Sequence, residues 1–273
     1  MKSQDLGQFI FNRSILSEIQ IREVIKAARK SDPSLAVTAL FLQLIESTEL
    51  NDKDDDFVRS LITPRQVMRA SELKDGQSLI FAQALIDNGI ANFLKLNHIF
   101  EEYHNLEIPP IESVLTTYYE KLKKYPDIDF PFAVDVISSF HTFLSESLQS
   151  SVVILPPHSQ KNKIKFGASV KIIGEISVIV ALMAEEKNFL NIARRYDSYV
   201  ETIEDAYDAI SELLNVFTGQ FVVQVAVTKG LEEVPEPPRY GSISEAVNTI
   251  TVMNDIGNFE IYIGKQEIFD ETS

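Results

Sequence analysis

Thr202-Ile203-Glu204-Asp205-Ala206-Tyr207-Asp208-Ala209-Ile210-Ser211-Glu212-Leu213-Leu214-Asn215-Val216-Phe217 decides how the second half of this chain is read. At about 3.6 residues per turn, Asp208, Glu212 and Asn215 project from one narrow stripe of a helix. Ile203, Tyr207, Ile210, Leu214 and Phe217 take the opposite side, the pattern of a helix with a buried back and a wet front. Thr202 suits the N-cap, and Asp205 three residues on completes a box-like cap. Two acids and an amide are thus displayed in a row on a helix built to be held from behind.

The elements around this helix have a mixed character. Upstream, Phe132 to Leu148 keeps helical spacing, with Val136, Phe140, Phe143 and Leu144 on one side. Ala168 to Ile173, Gly174, and then Val178 to Ala184 read as two strands of a hairpin. The unbroken apolar run of the second strand predicts cover on both faces. A helix from about Glu185 to Tyr196 precedes the focal helix. Gly219 is expected to interrupt the focal helix, and periodicity leaves Phe221 to Val227 unassigned. After the proline-rich loop Val234-Pro235-Glu236-Pro237-Pro238 come strands Ala246–Met253 and Phe259–Ile263, joined by the turn Asn254-Asp255-Ile256-Gly257-Asn258. The expectation is an α+β domain with an antiparallel sheet packed against helices, over residues 131–273.

Residues 1–125 read as an all-α domain. Leu6-Gly7-Gln8-Phe9-Ile10-Phe11-Asn12-Arg13-Ser14-Ile15-Leu16-Ser17 aligns without gaps on Phe81-Ala82-Gln83-Ala84-Leu85-Ile86-Asp87-Asn88-Gly89-Ile90-Ala91-Asn92. Each block reads as helix, tight turn, helix, with Ser17 and Asn92 as N-caps. A partial third copy is expected at Phe57 to Pro64, where Thr63 can cap and Pro64 suits the first helical position. Ile111 to Tyr125 makes one more amphipathic helix. The two prolines of Tyr125-Pro126-Asp127-Ile128-Asp129-Phe130-Pro131 place the domain boundary there.

The 273 residues are 45% hydrophobic, enough for real cores, and carry a formal charge of -15. Such a charge argues against nucleic acid or insertion into an anionic membrane, and favours a partner with a basic spot. The absence of cysteine excludes disulfides and thiolate sites. No secretory signal is visible, so a cytoplasmic location is expected. Asp52, Asp54 and Asp56 alternate like a calcium loop, but Phe57 stands where such a loop needs Gly, so a solvated acidic loop is expected. His98 and His104 fall on different sides of a helix without a third ligand, and no metal site is assigned.

Asp208, Glu212, Asn215 and Pro237 together reproduce a four-point pattern: Asp or Ser, Glu four residues on, Asn three further and Pro 22 beyond. With the following Gly219-Gln220-Phe221-Val222-Val223, and with Ser169-Val170-Lys171-Ile172-Ile173-Gly174-Glu175, this resembles the CheC/CheX chemotaxis phosphatases over roughly residues 131–265. The resemblance implies hydrolysis of the aspartyl phosphate of a phosphorylated CheY-like response regulator. Glu212 would dock the helix against a partner lysine and Asn215 would orient the attacking water. Asp208 and Pro237 would be supporting residues. No cofactor of its own is implied, the magnesium ion being supplied by the partner regulator. A homodimer joined through sheets is also implied. A second helix of the CheC type would need matches at Thr142, Glu146, Gln149 and Lys171, where three of four positions depart, so a single site is expected. The alternative is a non-catalytic signalling adaptor that binds a response regulator through the same helix. The N-terminal blocks resemble the pattern "LGxxLxxxGxIxxxQLxxAL" of type II secretion ATPase N-terminal domains and related cyclic di-GMP modules, which would make this half a nucleotide-sensing module. Asp5 and Ile80 stand where nucleotide-binding members carry Arg, so helical packing without a ligand is the expectation.

Overall fold

A computed structural model describes residues 5–47, 50, 55–73, 76–119, 130–157, 165–243, 249–266 and 268–269. The chain divides into two compact units, Met1–Ser113 with Gln149–Val153, and Val114–Leu148 with Ile154–Ser273. Residues 120–129, which contain most of the expected boundary segment, and 51–54, which hold Asp52 and Asp54, lie outside the described residues.

The first unit is helical: α1 (Leu6–Asn12), α2 (Glu18–Ala28), α3 (Leu35–Phe41), α4 (Asp55–Leu61), α5 (Pro64–Glu72), α6 (Gln77–Asp87), α7 (Phe93–His104) and the start of α8 (Pro110–Tyr118). The caps form where the residue types place them. Ser17 and Thr63 make capping boxes with Gln20 and Gln66, and Asn92 accepts from Lys95 N–H. The aligned blocks are equivalent in three dimensions. Gln8 and Gln83 are both buried, and each donates its side-chain amide to the residue four positions on, Asn12 and Asp87. Ser14 and Gly89 both take the left-handed conformation between their helices, at φ 53° and 66°. In each block the next residue donates back across the turn, Ile15 to Ile10 O and Ile90 to Leu85 O, the Schellman arrangement that closes a helix end.

The third copy is not where the sequence places it. Ser60 lies inside α4, and Phe57 and Leu61 are exposed rather than packed like their counterparts. The third left-handed turn is at Gln43, φ 56°, where Leu44 N–H donates to Ala39 O. α3 is therefore the real equivalent of α1 and α6. Its turn residue is neither Gly nor Ser, so composition concealed it. His98 is exposed beside Glu101, while the His104 ring lies against Phe41 with centroids 4.9 Å apart. Burial against these rings lowers the His104 pKa.

The second unit is α+β. Its helices are α9 (Phe130–Ser147), α10 (Glu186–Tyr196) and α11 (Ile203–Lys229). Its strands are the end of β1 (Val153–Ile154), β2 (Lys165–Gly174), β3 (Val178–Ala184), β4 (Glu233–Pro235), β5 (Arg239–Ile243), β6 (Thr249–Met253) and β7 (Asn258–Gly264). The sheet order is β1-β6-β7-β3-β2-β4, with β5 also pairing β2. β2 and β3 form the expected antiparallel hairpin, in the register Ile172 opposite Val178. β6 and β7 form the second, closed by an Asn254 side chain that accepts from Ile256 and Gly257 N–H.

β3 is buried along its whole length, because the sheet is covered on both sides. On one face Phe166 of β2 meets Tyr207 of α11. On the other, Ile179, Ala181 and Met183 pack with Ile243, Tyr262 and the C-terminal Ile268. Two features depart from the sequence reading. The proline-rich stretch is not a plain loop: Glu233–Pro235 and Arg239–Ile243 add to the β2 edge, where proline's missing N–H is tolerated. Gly219 does not interrupt the focal helix, which runs 27 residues to a left-handed Gly230 cap. A mid-helix glycine costs about 1 kcal/mol. Burying the side chains of Phe221 and Val225 beyond it contributes roughly 1.5–3 kcal/mol each, so continuation wins.

Candidate functional site

α11 is locked from behind. Ile210, Leu213, Leu214, Phe217 and Phe221 are buried, and Phe217 lies against Phe140 of α9 with ring centroids 4.5 Å apart. Phe132 meets Phe221 edge-on at 5.8 Å, and Lys229 pairs with Asp135 at the far end. β2, β4, β5 and α10 flank the helix along its length. Its start is fixed by Thr202 and Asp205, which exchange hydrogen bonds at 2.8 and 3.2 Å. The N–H groups of Thr202 and Glu201 hold the Asp205 carboxyl below the usual carboxylate range.

On this scaffold Asp208, Glu212 and Asn215 are all exposed and stand on one line. Among the described residues none of the three side chains is engaged in a hydrogen bond or ion pair, so each is available to a partner. Glu204 and Asp205 on the same half of the helix, and Glu201 just before it, are exposed, which makes that end strongly anionic. Pro237 is exposed in the short link between β4 and β5, two edge strands that pack against α11. The link is held by Glu236, whose N–H donates to Lys171 O at 2.7 Å.

Two neighbours of α11 were not legible from spacing. Tyr196, the last residue of α10, has its pKa raised by burial and then by the charges of Glu212 and Asp197, which places its phenol in the field of the Glu212 carboxylate. Tyr240 of β5 stacks on Tyr207, one residue before Asp208. Both come from other elements, so no local pattern announces them. The second-helix residues behave differently. Thr142 and Glu146 lie on α9, but Gln149 falls past its end in the left-handed conformation, and Lys171 pairs with Glu236. They form no comparable stripe.

Among the described residues no cluster of three or more His, Asp or Glu side chains is disposed to hold a metal ion. By length and composition α11 could cross a membrane. Here Ile210, Leu213, Leu214, Phe217, Phe221 and Val225 are buried, while the exposed front carries acids in its first half and Val223 and Val227 in its second.

The second unit is thus an α+β domain, an antiparallel sheet backed by helices, one of which presents an anionic, amide-bearing face. No family model and no curated protein matches the chain. Solved structures do. A chemotaxis protein CheX from Desulfovibrio desulfuricans is 17% identical, with 50% of this chain and 99% of that one covered at a TM-score of 0.39. A CheC-like superfamily protein from Shewanella sp. PV-4 is 18% identical, covering 50% and 97% at 0.39. The CheX-CheY-BeF3-Mg complex from Borrelia burgdorferi is matched at 15% identity, 51% and 99% coverage and 0.38. The chain is similar to these CheX and CheC-like chemotaxis proteins over about half its length.

Proposed function

We propose that the second unit is a phosphatase for the aspartyl phosphate of a CheY-like response regulator, the class of partner present in the Borrelia complex. The observation that carries this reading is the stripe itself: Glu212 and Asn215, one turn apart, are exposed and unengaged on a helix whose back is immobilised.

Breaking an acyl phosphate needs a water held in line with the scissile P–O bond. The Asn215 amide both accepts and donates, so it can hold that water in one orientation without titrating. Glu212 can accept a charge-assisted hydrogen bond from a lysine of the regulator and so fix the helix in the partner's site. The regulator brings its own magnesium ion, which offsets charge on the phosphoryl group. Asp208 extends the anionic contact, and Pro237 shapes the strand link beside the helix.

Purified full-length chain mixed with a phosphorylated CheY-like regulator should accelerate phosphate release, and Glu212→Ala with Asn215→Ala should abolish the acceleration. Release no faster than the regulator's own decay, unchanged by the double substitution, would sink the enzyme. Binding without release would establish an adaptor instead.

A further inference from the structure

The stripe does not end at Asn215. Continued at helical pitch, the same line runs through Gly219, between Val222 and Val223, and on to Ala226, with Val227 at its shoulder. Val223 and Val227 are 63% and 81% exposed, the large apolar side chains that α11 leaves in solvent. Gly219 is distinctive among the glycines whose surroundings are described. A Cβ at Gly167, Gly174, Gly257 or Gly264 would meet an atom within 3.0 Å, one at Gly7 would meet an atom at 3.3 Å and one at Gly76 an atom at 3.2 Å, and Gly89 and Gly230 take positive φ. Gly219 has an ordinary helical conformation and nothing within 4 Å, so the fold of this unit supplies no reason for it. A glycine is of use there if another backbone must approach the helix closely.

Charge divides the helix in the same way. Glu204, Asp205, Asp208 and Glu212 occupy its N-terminal part, with Glu201 just before it, and no charged residue occurs from Leu213 to Thr228. An occupant of the whole face must therefore carry a cationic group at one end and an apolar surface at the other, about 22 Å apart from Glu212 to Val227.

Building on the reading of the site above, we infer that residues 219–227 form an apolar shoulder that docks the same CheY-like regulator. A segment of the regulator would pack its backbone against Gly219 and its apolar side chains against Val223 and Val227, while its lysine meets Glu212. The shoulder would supply affinity and choice of partner, and the polar half the chemistry. Interfaces divide in this way when an apolar contact adjoins a charged one.

The test uses the full chain and, as probe, a CheY-type receiver domain of the same organism loaded with beryllofluoride and magnesium. Gly219→Leu should bind the probe at least tenfold more weakly, yet release phosphate at close to the wild-type rate when regulator is saturating. Gly219→Ala should unfold at the same or a higher temperature than wild type and bind several-fold more weakly. Val223→Ser with Val227→Ser removes no helix-forming backbone group, should weaken binding to a similar degree, and carries the test if Gly219→Leu loses its circular dichroism. Affinities of the Gly219→Ala chain and the valine double variant within twofold of wild type, with phosphate release by wild type intact, would overturn the shoulder and leave the phosphatase standing. Wild-type chain that neither binds the probe nor speeds release would remove both.

Discussion

Tyr207 of α11 lies flat against Tyr240 of β5, with ring centroids 4.8 Å apart and planes 23° from parallel. The stack ties the first turns of the site helix to the strand that follows Pro237, and it sits one residue before Asp208. An aromatic pair of this kind is worth about 0.5–1.5 kcal/mol beyond its buried area. Tyr240→Ala should therefore lower stability by about 1 kcal/mol in urea titration and reduce the proposed phosphatase activity, whereas Tyr240→Phe should leave both near wild type.

Glu212 and Asn215 are exposed without internal partners, so replacing either with Ala should change stability by no more than about 0.5 kcal/mol. Their effects on activity should differ in kind. On the proposed mechanism, Asn215→Ala should cut the rate at saturating regulator by about 100-fold, because the water would no longer be aimed. Glu212→Ala should chiefly weaken regulator binding, by about tenfold or more, since a charge-assisted hydrogen bond is lost. Steady-state assays across regulator concentration separate the two.

Arg195 of α10 binds Asp255 in the β6–β7 turn at 2.9 Å and also donates to Leu148 O. The Asp255 side chain is 3% exposed. Truncating Arg195 takes a hydrogen-bonded cation away from that buried carboxylate, a change that costs about 3–5 kcal/mol. Arg195→Ala should accordingly shift the urea midpoint well below wild type, and Arg195→Ala with Asp255→Asn should recover part of the loss.

The Tyr119 hydroxyl donates to Leu155 O at 2.7 Å and accepts from Thr251 N–H at 3.1 Å, closing β6 against the segment after β1. Burial pushes its pKa up to about 12. An acid whose folded pKa exceeds its unfolded value of about 10 contributes stability that is complete below pH 10 and lost as pH rises towards 12. Wild-type stability should fall through that window more steeply than that of Tyr119→Phe. At pH 7 the Phe variant should be about 1–3 kcal/mol less stable, because two buried backbone groups lose their partner.

Ser14 and Gly89 occupy equivalent left-handed turns at φ 53° and 66°. A side chain in that conformation costs about 1 kcal/mol relative to glycine. Ser14→Gly should raise the thermal midpoint and Gly89→Ala should lower it, a pair of opposite signs that calorimetry can read directly.

The residues themselves determined much of this protein. Apolar runs on either side of Gly174 and the turn at Asn254 to Asn258 located the β2–β3 and β6–β7 hairpins, and side-chain chemistry located the caps at Ser17, Thr63, Asn92 and Thr202. The polar stripe followed from the 3.6-residue period alone, since helical geometry converts spacing into a face. Tertiary structure decided the rest. Gly219 stays helical because Phe221 and Val225 find a core beyond it, and a core is not a local property. Glu233–Pro235 and Arg239–Ile243 become strands because β2 offers them an edge. Gln43 takes a left-handed turn because α3 is packed among its neighbours, at a residue type that announces nothing. Tyr196 comes beside Glu212 and Tyr240 beside Tyr207 from separate elements, and which of those lie beside α11 is fixed only when the sheet and helices pack.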